Sequence, residues 1–413
     1  MKKSFFFILT IIFIVFIINN CMAEVLEIGD YKLNILDNET AEIVKYLGTE
    51  PQVSVPSKIQ DYNITAIRGM TFYGYENLIS IIVPDSINSI DYLAFYKCKN
   101  LESIIVSPDN NYYASIDGVL FNKENKSLVI FPQGKKISEY TIPNGIESIE
   151  SNAFQECDNL IKITLPNGLK KIGVAFQAAH NLKTVILPDT LSELELNPFL
   201  NCNNLENIII SPDNQTFAVI DNVLFNKETK SLIAFPAGKK ISEYIVPQGI
   251  KSINKLAFSE CDNLKKVLLP EGVSSIGDYS FFQCSNLTVI TLPETLVSIG
   301  KSAFYNCKNL NLIALPDKLS IIGEDAFAMC VHLSKIVLPD SLSMIGKDAF
   351  ALCGLTSVTM PDSVFDVINV DEVFRGINLK NITWTVERDS KAREWAIDNG
   401  FPYTYSDSND WLN

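Results

Sequence analysis

Residues 299–316 read IGKSAFYNCKNLNLIALP, and 23 residues further on, residues 322–339 read IGEDAFAMCVHLSKIVLP. A third version, IGKDAFALCGLTSVTMP, fills residues 345–361. The template is I-G-x-x-A-F-x-x-C-x-N-L-x-x-I-x-L-P-x-x-L-x-S, and the third version lacks one residue between its cysteine and its leucine. A unit of 23 residues is too small to fold alone, so its copies must stack and bury a common apolar face. The repeat therefore predicts a solenoid.

The template phenylalanine marks the copies of the repeat. From Phe258 to Phe350 every step is 23 residues, one earlier step is 22, and two steps are 59, which is one regular step plus 36 residues. The long steps hold insertions of nearly identical sequence at about 107–143 and 211–247. In each insertion, β-rich runs flank an Asn-Lys-Glu turn, which predicts a β-hairpin. The marker residues are Phe72, Phe95, Phe154, Phe176, Phe199, Phe258, Phe281, Phe304, Phe327 and Phe350, and Phe374 opens a degenerate further copy.

The template also predicts the elements within one copy. A-F-x-x-C spaces its apolar residues as a short helical turn does, and L-x-x-I-x-L alternates as a strand does. Proline then ends the strand, because it cannot donate a ladder hydrogen bond. The predicted fold class is an α/β repeat solenoid, an array of 23-residue units with short strands and short helical turns and with two β-hairpin-like insertions.

The repeated phrase resembles the BspA-type (treponemal-type) leucine-rich repeat of bacterial and protist surface proteins, over roughly residues 28–405. The flanks are similar too: GDYKLNILDNETAEIVKYLG resembles the hairpin cap before such arrays, and SKAREWAIDNGFPYTY resembles their C-terminal helical cap. The resemblance implies a right-handed, curved leucine-rich-repeat solenoid. It also implies surface display and adhesion to host or microbial partners.

These features divide the chain into four segments. Within the last segment, Gly400 is expected to end a helix that contains Ala392 and Trp395. The segments are a signal peptide at 1–23, an N-terminal β cap at 24–62, the leucine-rich repeat solenoid at 63–385, and a C-terminal helical cap with a tail at 386–413.

The first segment is predicted to be an export signal. Lys2 and Lys3 form a positively charged start, and the apolar run at 5–18 has 14 residues. This run is shorter than the ~20 residues that a membrane-spanning helix needs, and the small residues after it suit cleavage after Ala23. Lipoprotein processing at Cys21 is the alternative. The mature chain is therefore expected to have no transmembrane span and to be secreted or located at the cell surface.

Charge and composition exclude several classes of function. A net charge of −14 argues against a nucleic-acid partner, which needs clustered Lys and Arg. The two histidines, His180 and His332, lie in different copies and are expected to be surface turn residues, so they assemble no nucleophile-and-base pair. The sequence also has no glycine-rich phosphate loop. We therefore predict a protein that is not an enzyme and binds no cofactor.

An acidic residue often follows the strand proline. A row of carboxylates could hold Ca²⁺, but acidic residues are also common in turns. We favour the turn role and expect no metal site. The residues are Asp189, Glu271, Glu294, Asp317, Asp340 and Asp362.

One column of cysteines runs through the repeat. An even number in an exported chain is compatible with disulfides. Equivalent side chains on stacked rungs, however, stay about 5 Å apart, whereas a disulfide needs Cβ atoms about 3.8 Å apart. Free buried thiols are therefore predicted, and a column also lacks the convergence that zinc requires. The residues are Cys98, Cys157, Cys202, Cys261, Cys284, Cys307, Cys330 and Cys353.

The strands carry a further pattern. Counted from the leucine of N-L as zero, positions 3 and 5 are expected to point inward, so position 4 must point outward. Position 4 is nevertheless apolar in seven of ten copies. Two interpretations stay open: β-branched residues that suit a sheet surface, or an apolar stripe on the concave face that binds a partner. The candidate partner-binding residues are Ile82, Ile105, Thr164, Ile186, Ile209, Leu268, Thr291, Ala314, Val337 and Thr359.

These observations converge on one function and one alternative. The sequence predicts an exported leucine-rich repeat protein that acts in surface adhesion or protein–protein interaction through its concave face. The expected partner is a protein or cell-surface ligand, such as host extracellular matrix or other microbes. The alternative is a structural, envelope-organising repeat protein without a specific ligand.

Overall fold

The computed structural model of the protein describes residues 25–407. The predicted signal segment at 1–23, with Cys21, lies outside the described residues. The described chain forms two compact units. The first comprises residues 25–136 and 148–159, and the second comprises 137–147 and 160–407.

The first unit opens with an antiparallel sheet and continues with stacked rungs. Its strands are β1 (Val25–Ile28), β2 (Tyr31–Ile35), β3 (Thr40–Tyr46), β4 (Gln52–Ser54), β5 (Lys58–Ile59), β6 (Tyr62–Ile67), β7 (Ser80–Val83), β8 (Ser89–Ile90), β9 (Ser103–Val106), β10 (Tyr113–Ile116), β11 (Val119–Asn122), β12 (Ser127–Ile130) and β14 (Ser148–Ile149). Strands β1, β2 and β3 pair in antiparallel fashion, and β3 then pairs in parallel with β6. Strands β4, β7 and β9 form a separate parallel sheet.

The second unit contains most of the repeats. Its strands are β13 (Glu139–Thr141), β15 (Lys162–Thr164), β16 (Lys171–Ile172), β17 (Thr184–Leu187), β18 (Glu193–Leu194), β19 (Asn207–Ile210), β20 (Phe217–Ile220), β21 (Val223–Asn226), β22 (Ser231–Ala234), β23 (Glu243–Ile245), β24 (Ser252–Ile253), β25 (Lys266–Leu268), β26 (Ser275–Ile276), β27 (Val289–Thr291), β28 (Ser298–Ile299), β29 (Ile321–Ile322), β30 (Lys335–Val337), β31 (Met344–Ile345), β32 (Ser357–Thr359), β33 (Thr383–Val386) and β34 (Tyr403–Tyr405). Its helices are α1 (Asp362–Phe365), α2 (Val370–Val373), α3 (Lys391–Asp398) and a 3₁₀ helix at Leu379–Asn381.

A regular rung contributes one strand of three or four residues and one strand of two residues. Strands of the same kind stack in parallel, and we call the two stacks the long-strand column and the short-strand column. In the long-strand column β25 pairs with β27, so that Val267 lies beside Ile290. In the short-strand column β26 pairs with β28, so that Ile276 lies beside Ile299. Each of these pairs joins residues one 23-residue repeat apart, as does the pair Ile81 and Ile104 in the first unit, so both units are built from rungs of the predicted solenoid.

The A-F-x-x-C segments are consecutive β-turns, which corrects the prediction of short helical turns. Tyr305 N–H donates to the Ser302 carbonyl three residues back, at 3.1 Å. Ser302 and Asn306 have positive φ angles of 50° and 59°, which an α-helix of L residues does not tolerate. The intervening Phe304 N–H donates instead to Ala326 of the following rung, at 2.7 Å. Bonding to the next rung therefore replaces the internal bonds of a helix.

The marker phenylalanines form the centre of the core. In the second unit five rings stack face to face, with centroids 4.7–5.2 Å apart and planes inclined by only 3–9°. All five side chains are fully buried. A ring column of this kind fixes the repeat length, because each ring needs the next one directly above it. The five residues are Phe258, Phe281, Phe304, Phe327 and Phe350.

Each insertion belongs to an enlarged rung of its own, which the sequence interpretation missed. Phe131 stacks on Phe154 at 5.0 Å in the first unit, and Phe235 stacks on Phe258 at 5.1 Å in the second. Phe131 N–H also donates to Ala153 at 2.8 Å, as regular marker residues do toward the following rung. Each step of 59 residues is therefore one rung of 36 residues followed by one of 23.

Each enlarged rung carries a three-stranded antiparallel meander, β10–β11–β12 or β20–β21–β22. The hairpin predicted around Asn-Lys-Glu is confirmed in β11–β12 and β21–β22. Strands β10 and β20 were not predicted. They reach their neighbours through the two-residue turns Asp117-Gly118 and Asp221-Asn222, whose residues all have positive φ. The last strand of each meander joins the short-strand column, because β12 pairs in parallel with β14 and β22 with β24.

The predicted C-terminal helix is confirmed as α3. The Ser390 side chain caps it by accepting the Arg393 N–H, and Gly400, with a φ of 65°, follows its C-terminal end. Trp395 on this helix packs edge to face against the buried Trp384, with ring centroids 4.9 Å apart. The helix thereby covers the apolar end of the second unit.

Candidate functional site

The long-strand column carries an outward row of apolar side chains. In β7, Ile81 and Val83 are buried while Ile82 between them is 45% exposed. In β9, Ile104 and Val106 are buried while Ile105 is 46% exposed. All ten position-4 residues are exposed or half-buried. The predicted facing of position 4 is therefore confirmed.

The row is divided among separate sheets. Ile82 and Ile105 are register partners in β7–β9 of the first unit. In the second unit the separate sets are Thr164, Ile186 and Ile209 in β15–β17–β19, Leu268 and Thr291 in β25–β27, and Val337 and Thr359 in β30–β32. Ala314 is exposed but lies outside the strands.

The second insertion separates two residues that the sequence alone could have placed side by side. Ile209 lies on β19, whose sheet is β13–β15–β17–β19, and Leu268 lies on β25 in the sheet β23–β25–β27. The hairpin turn of the insertion borders β19, because the Asn222 amide donates to the Asn207 side chain at 3.0 Å. Ile209 and Leu268 therefore belong to different patches.

Sequence reasoning missed one strongly exposed member of the row. Ile245 of β23 is 65% exposed and is the register partner of Leu268. It lies within the second insertion, at 211–247, so it lacks the N-L signature from which the strand positions were counted. The segment EYIVP around it nevertheless alternates and ends in proline as the regular strands do, and this signal could have identified it.

The eight repeat cysteines are buried free thiols, as predicted. Each donates to the main-chain carbonyl of the marker residue 26 positions earlier; for example, Cys284 Sγ lies 2.9 Å from the Phe258 oxygen. Burial raises the pKa of Cys98, Cys202 and Cys284 to about 12. Thiols with such a pKa stay protonated at neutral pH and are poor nucleophiles.

The histidines have positions that suit structural roles. His332 fills the template asparagine slot, and its Nδ1 lies 2.7 Å from the Lys308 carbonyl oxygen. Asn309 makes the equivalent bond to Ser285 at 2.8 Å. Both histidines are exposed turn residues. Between residues 25 and 407, no group of three or more His, Cys, Asp or Glu side chains could hold a metal ion.

Two clefts lie beside the insertions, one in each unit. The first has a volume of about 340 Å³, and its walls include Tyr113 and Val129 of the first meander. The second has a volume of about 450 Å³, and its walls include Phe217 and Ile233 of the second meander. Both volumes are in the range of small-molecule sites.

The family of the protein follows from the stacked rungs and their sequence. The family model for the BspA type leucine rich repeat region (6 copies) matches this chain at residues 53–134, 128–245 and 251–380. The chain belongs to the BspA-type leucine-rich repeat family. No curated protein sequence matches this BspA-type chain.

Solved structures share the fold of this BspA-type chain. The pneumococcal vaccine antigen PcpA is 20% identical, with a TM-score of 0.65 over 94% of this chain and 99% of that one. A leucine rich cell surface protein from Faecalibacterium prausnitzii is 23% identical, with a TM-score of 0.55 over 94% of this chain and 96% of that one. Within residues 25–407 of the present chain, no helix is long and apolar enough to cross a bilayer.

Proposed function

We propose that this chain is an exported, surface-located binding protein that holds a protein or cell-surface ligand on the outer face of its long strands. The observation that carries the proposal is the exposure of apolar side chains at position 4 between buried neighbours. Isoleucines at 45–46% exposure leave apolar area in water, and a covering partner would recover about 25 cal/mol for each Å² buried.

Two pairs of isoleucines are the candidate anchors. Ile82 lies beside Ile105, and Ile186 lies beside Ile209. Two residues earlier, at the neighbouring outward-facing position of the same strands, the side chains are polar: Ser80, Ser103, Thr184 and Asn207. An apolar centre with a polar border is the usual composition of a protein interface.

Location and mode of action complete the proposal. Export through the segment 1–23, with cleavage after Ala23 or lipid attachment at Cys21, would place the mature chain outside the cell. The name of the Faecalibacterium prausnitzii structure as a cell surface protein supports this location by analogy. The chain would then act by adhesion to extracellular matrix or to other microbes and not by catalysis.

A binding screen with one double variant tests the proposal. The mature chain is applied to immobilised extracellular-matrix proteins and to intact microbial cells. For any ligand found, the changes Ile186→Ser and Ile209→Ser together should weaken binding at least tenfold, about 1.4 kcal/mol, because a few central apolar residues dominate most interfaces. The melting temperature should fall little, since both side chains face outward.

The control is Ile397→Ser, which removes from helix α3 an isoleucine that is 46% exposed, close to the 45% of Ile209. It should leave binding unchanged. Equal binding by the double variant and the unaltered chain would assign the row to sheet packing alone. Absence of any bound matrix protein or cell would instead favour the structural, envelope-organising role.

A further inference from the structure

The two clefts beside the insertions are duplicates of one site. Eight of the residues that line the first cleft have counterparts 104 positions later in the second: Tyr113 corresponds to Phe217, and Asn122 to Asn226. The further pairs are Ile90 and Leu194, Asp91 and Glu195, Tyr92 and Leu196, Val129 and Ile233, Glu150 and Asn254, and Ser151 and Lys255.

Each cleft opens where the short-strand column is interrupted. Strand β18 pairs with β16, whereas β22 pairs with β21 and β24, so no ladder joins β18 to β22. In the first unit β8 pairs only with β6 among the described strands. The edge of a short strand therefore faces each cleft and presents main-chain groups to it.

The second cleft has a free main-chain donor. In the first cleft the Ile90 N–H donates to the Tyr113 hydroxyl at 3.0 Å. The corresponding ring in the second is Phe217, which has no hydroxyl to accept the Leu194 N–H. No hydrogen bond of this N–H is found among residues 25–407, because the pairing of β18 with β16 uses the N–H groups of Glu193 and Glu195 instead. A ligand in the second cleft could supply that acceptor.

The glycine slot of the repeat changes at the clefts. From Gly277 to Gly346 this slot is glycine in every rung, and a Cβ there would lie 2.3–2.6 Å from the backbone of the preceding rung. Glu150 and Asn254 fill the slot in the rungs that follow the two enlarged rungs. Their preceding strand comes from a meander, and both side chains line a cleft. Polar side chains are therefore present at a position where, in other rungs, close packing leaves no room for a side chain.

Each cleft also has a polar side-chain group free for a ligand. The Asn226 Oδ1 accepts N–H groups of Glu228 and Thr229 at 2.9 and 2.8 Å, and no bond between residues 25 and 407 uses its Nδ2. Ser127, which is fully buried, lines the first cleft, and its Oγ has no hydrogen-bond partner in the described chain. The equivalent Ser231 is paired with Thr229 at 2.8 Å.

The chemical groups that the two clefts share indicate the class of ligand. The first cleft contains Asp91 and Glu150 and no basic residue, whereas the second balances two glutamates against Lys171 and Lys255. A ligand common to both is therefore not selected by net charge. What they share is an apolar floor with amide, hydroxyl, carboxylate and main-chain groups around it. Such a mixture of donors and acceptors suits a ligand rich in hydroxyl groups.

We propose that each cleft binds a short, neutral oligosaccharide. Its hydroxyl groups would bond to Asn122 or Asn226 and to the carboxylates and strand edge, and its apolar ring faces would rest on the floor. Tyr92, which is 50% exposed, and Leu196, which is 38% exposed, offer an apolar surface at equivalent points of the rim. This site uses the short-strand column, so it is independent of the binding proposed for the long strands.

Titration calorimetry of the mature chain tests the proposal. The probes are neutral tetrasaccharides of glucose, mannose, galactose and N-acetylglucosamine, with a sulfated tetrasaccharide and a lysine-rich peptide as charged comparisons. At least one neutral tetrasaccharide should bind at two sites per chain, and neither charged probe should compete. Failure of every neutral probe to bind, or preferential binding of a charged one, would overturn the assignment.

Bulky substitutions at the rim locate the two sites. Lys255→Trp should remove the second site and Ser151→Trp the first, so each leaves one site and the double variant leaves none. Lys251→Trp is the matched control, because Lys251 is exposed near the second cleft without lining it, and it should keep both. Melting temperatures confirm that the variants fold. A double variant that folds and still binds two tetrasaccharides would place binding elsewhere.

Discussion

At the scale of single residues, the cysteine slot shows how one rung is joined to the next. The Phe304 carbonyl accepts the Cys307 N–H of its own rung at 3.2 Å and the Cys330 thiol of the following rung at 3.2 Å. A thiol is small and apolar enough for the core and still supplies a second donor to that oxygen. The sequence predicted burial and the absence of disulfides from rung spacing alone, but it held no sign of this bond.

The buried thiols predict a loss of stability in alkali. The pKa of Cys284 is raised to about 12 from an ordinary value of 9.0, because burial disfavours the thiolate. The stabilising effect is fully present below pH 9 and is lost as pH rises from 9 toward 12, since the unfolded chain releases a proton that the folded chain keeps. Each such thiol should lower the free energy of unfolding by up to about 1.4 kcal/mol per pH unit in this window. Urea unfolding at several pH values measures the slope.

The variant Cys284→Ala provides the comparison. Between pH 9 and pH 12, the free energy of unfolding of this variant should fall less steeply with pH, by the contribution of one thiol. This difference in slope is expected whatever the effect of the substitution on stability at pH 7. An unchanged slope would show that Cys284 ionises equally in the folded and unfolded chain and is therefore not buried.

At the scale of elements, local sequence was sufficient for strands and insufficient for turns. Alternation and the strand proline located the long strands, and Asn-Lys-Glu located the β11–β12 hairpin. The A-F-x-x-C spacing gave a wrong prediction of a short helical turn, because the same spacing also occurs in a series of β-turns that contains two residues with positive φ. Those residues, such as Ser302 and Asn306, are not glycine, so composition gave no warning. Asp117-Gly118 was a usable hairpin signal, and it would have revealed β10.

The slot after the first isoleucine of the repeat holds glycine in some rungs and a polar residue in others. Alanine in this slot should therefore destabilise the first kind of rung more than the second. Gly323→Ala would place a Cβ 2.5 Å from the Lys301 main-chain nitrogen of the preceding rung. Because backbone must move to relieve this contact, the free energy of unfolding should fall by about 1–3 kcal/mol. Chemical denaturation of the full mature chain measures the change.

Asn254→Ala is the matched control in the same slot. There the preceding strand belongs to the second meander and leaves room for a side chain, so the change should stay within about 0.5 kcal/mol. If the two variants were destabilised equally, the slot would not be glycine because neighbouring rungs approach closely, and the explanation would be wrong.

At the scale of the whole molecule, the repeat period predicted most of the architecture. Each ring in the column from Phe258 to Phe350 stacks on a ring one rung away. A constant repeat length in the sequence is therefore the direct consequence of this stacking. The clefts could not be predicted in this way. They depend on where the short-strand column breaks, and the break depends on Phe131 and Phe235 serving as markers of enlarged rungs. Their Phe-Pro context differs from the A-F template and hid them.

In such an array each rung contacts only its neighbours, so damage at an end should stay at that end. Trp395 of helix α3 contacts Trp384, Phe365 and Phe401, with ring centroids 4.9, 5.7 and 5.0 Å away. Trp395→Ala should destabilise the last rungs by roughly 2–3 kcal/mol, somewhat below the loss for a fully buried ring, because this side chain is only half-buried. Hydrogen exchange should show faster opening of β32 and β33, while β26 and β28 keep their protection.

Ile397→Ser on the same helix is the control, since that side chain is 46% exposed and should leave exchange in β32 and β33 unchanged. Two results would contradict nearest-neighbour coupling. Uniform loss of protection through β26 would mean that the second unit unfolds as one cooperative block. Unchanged protection in β33 would mean that Trp384 is held by its own rung and that α3 contributes little to it.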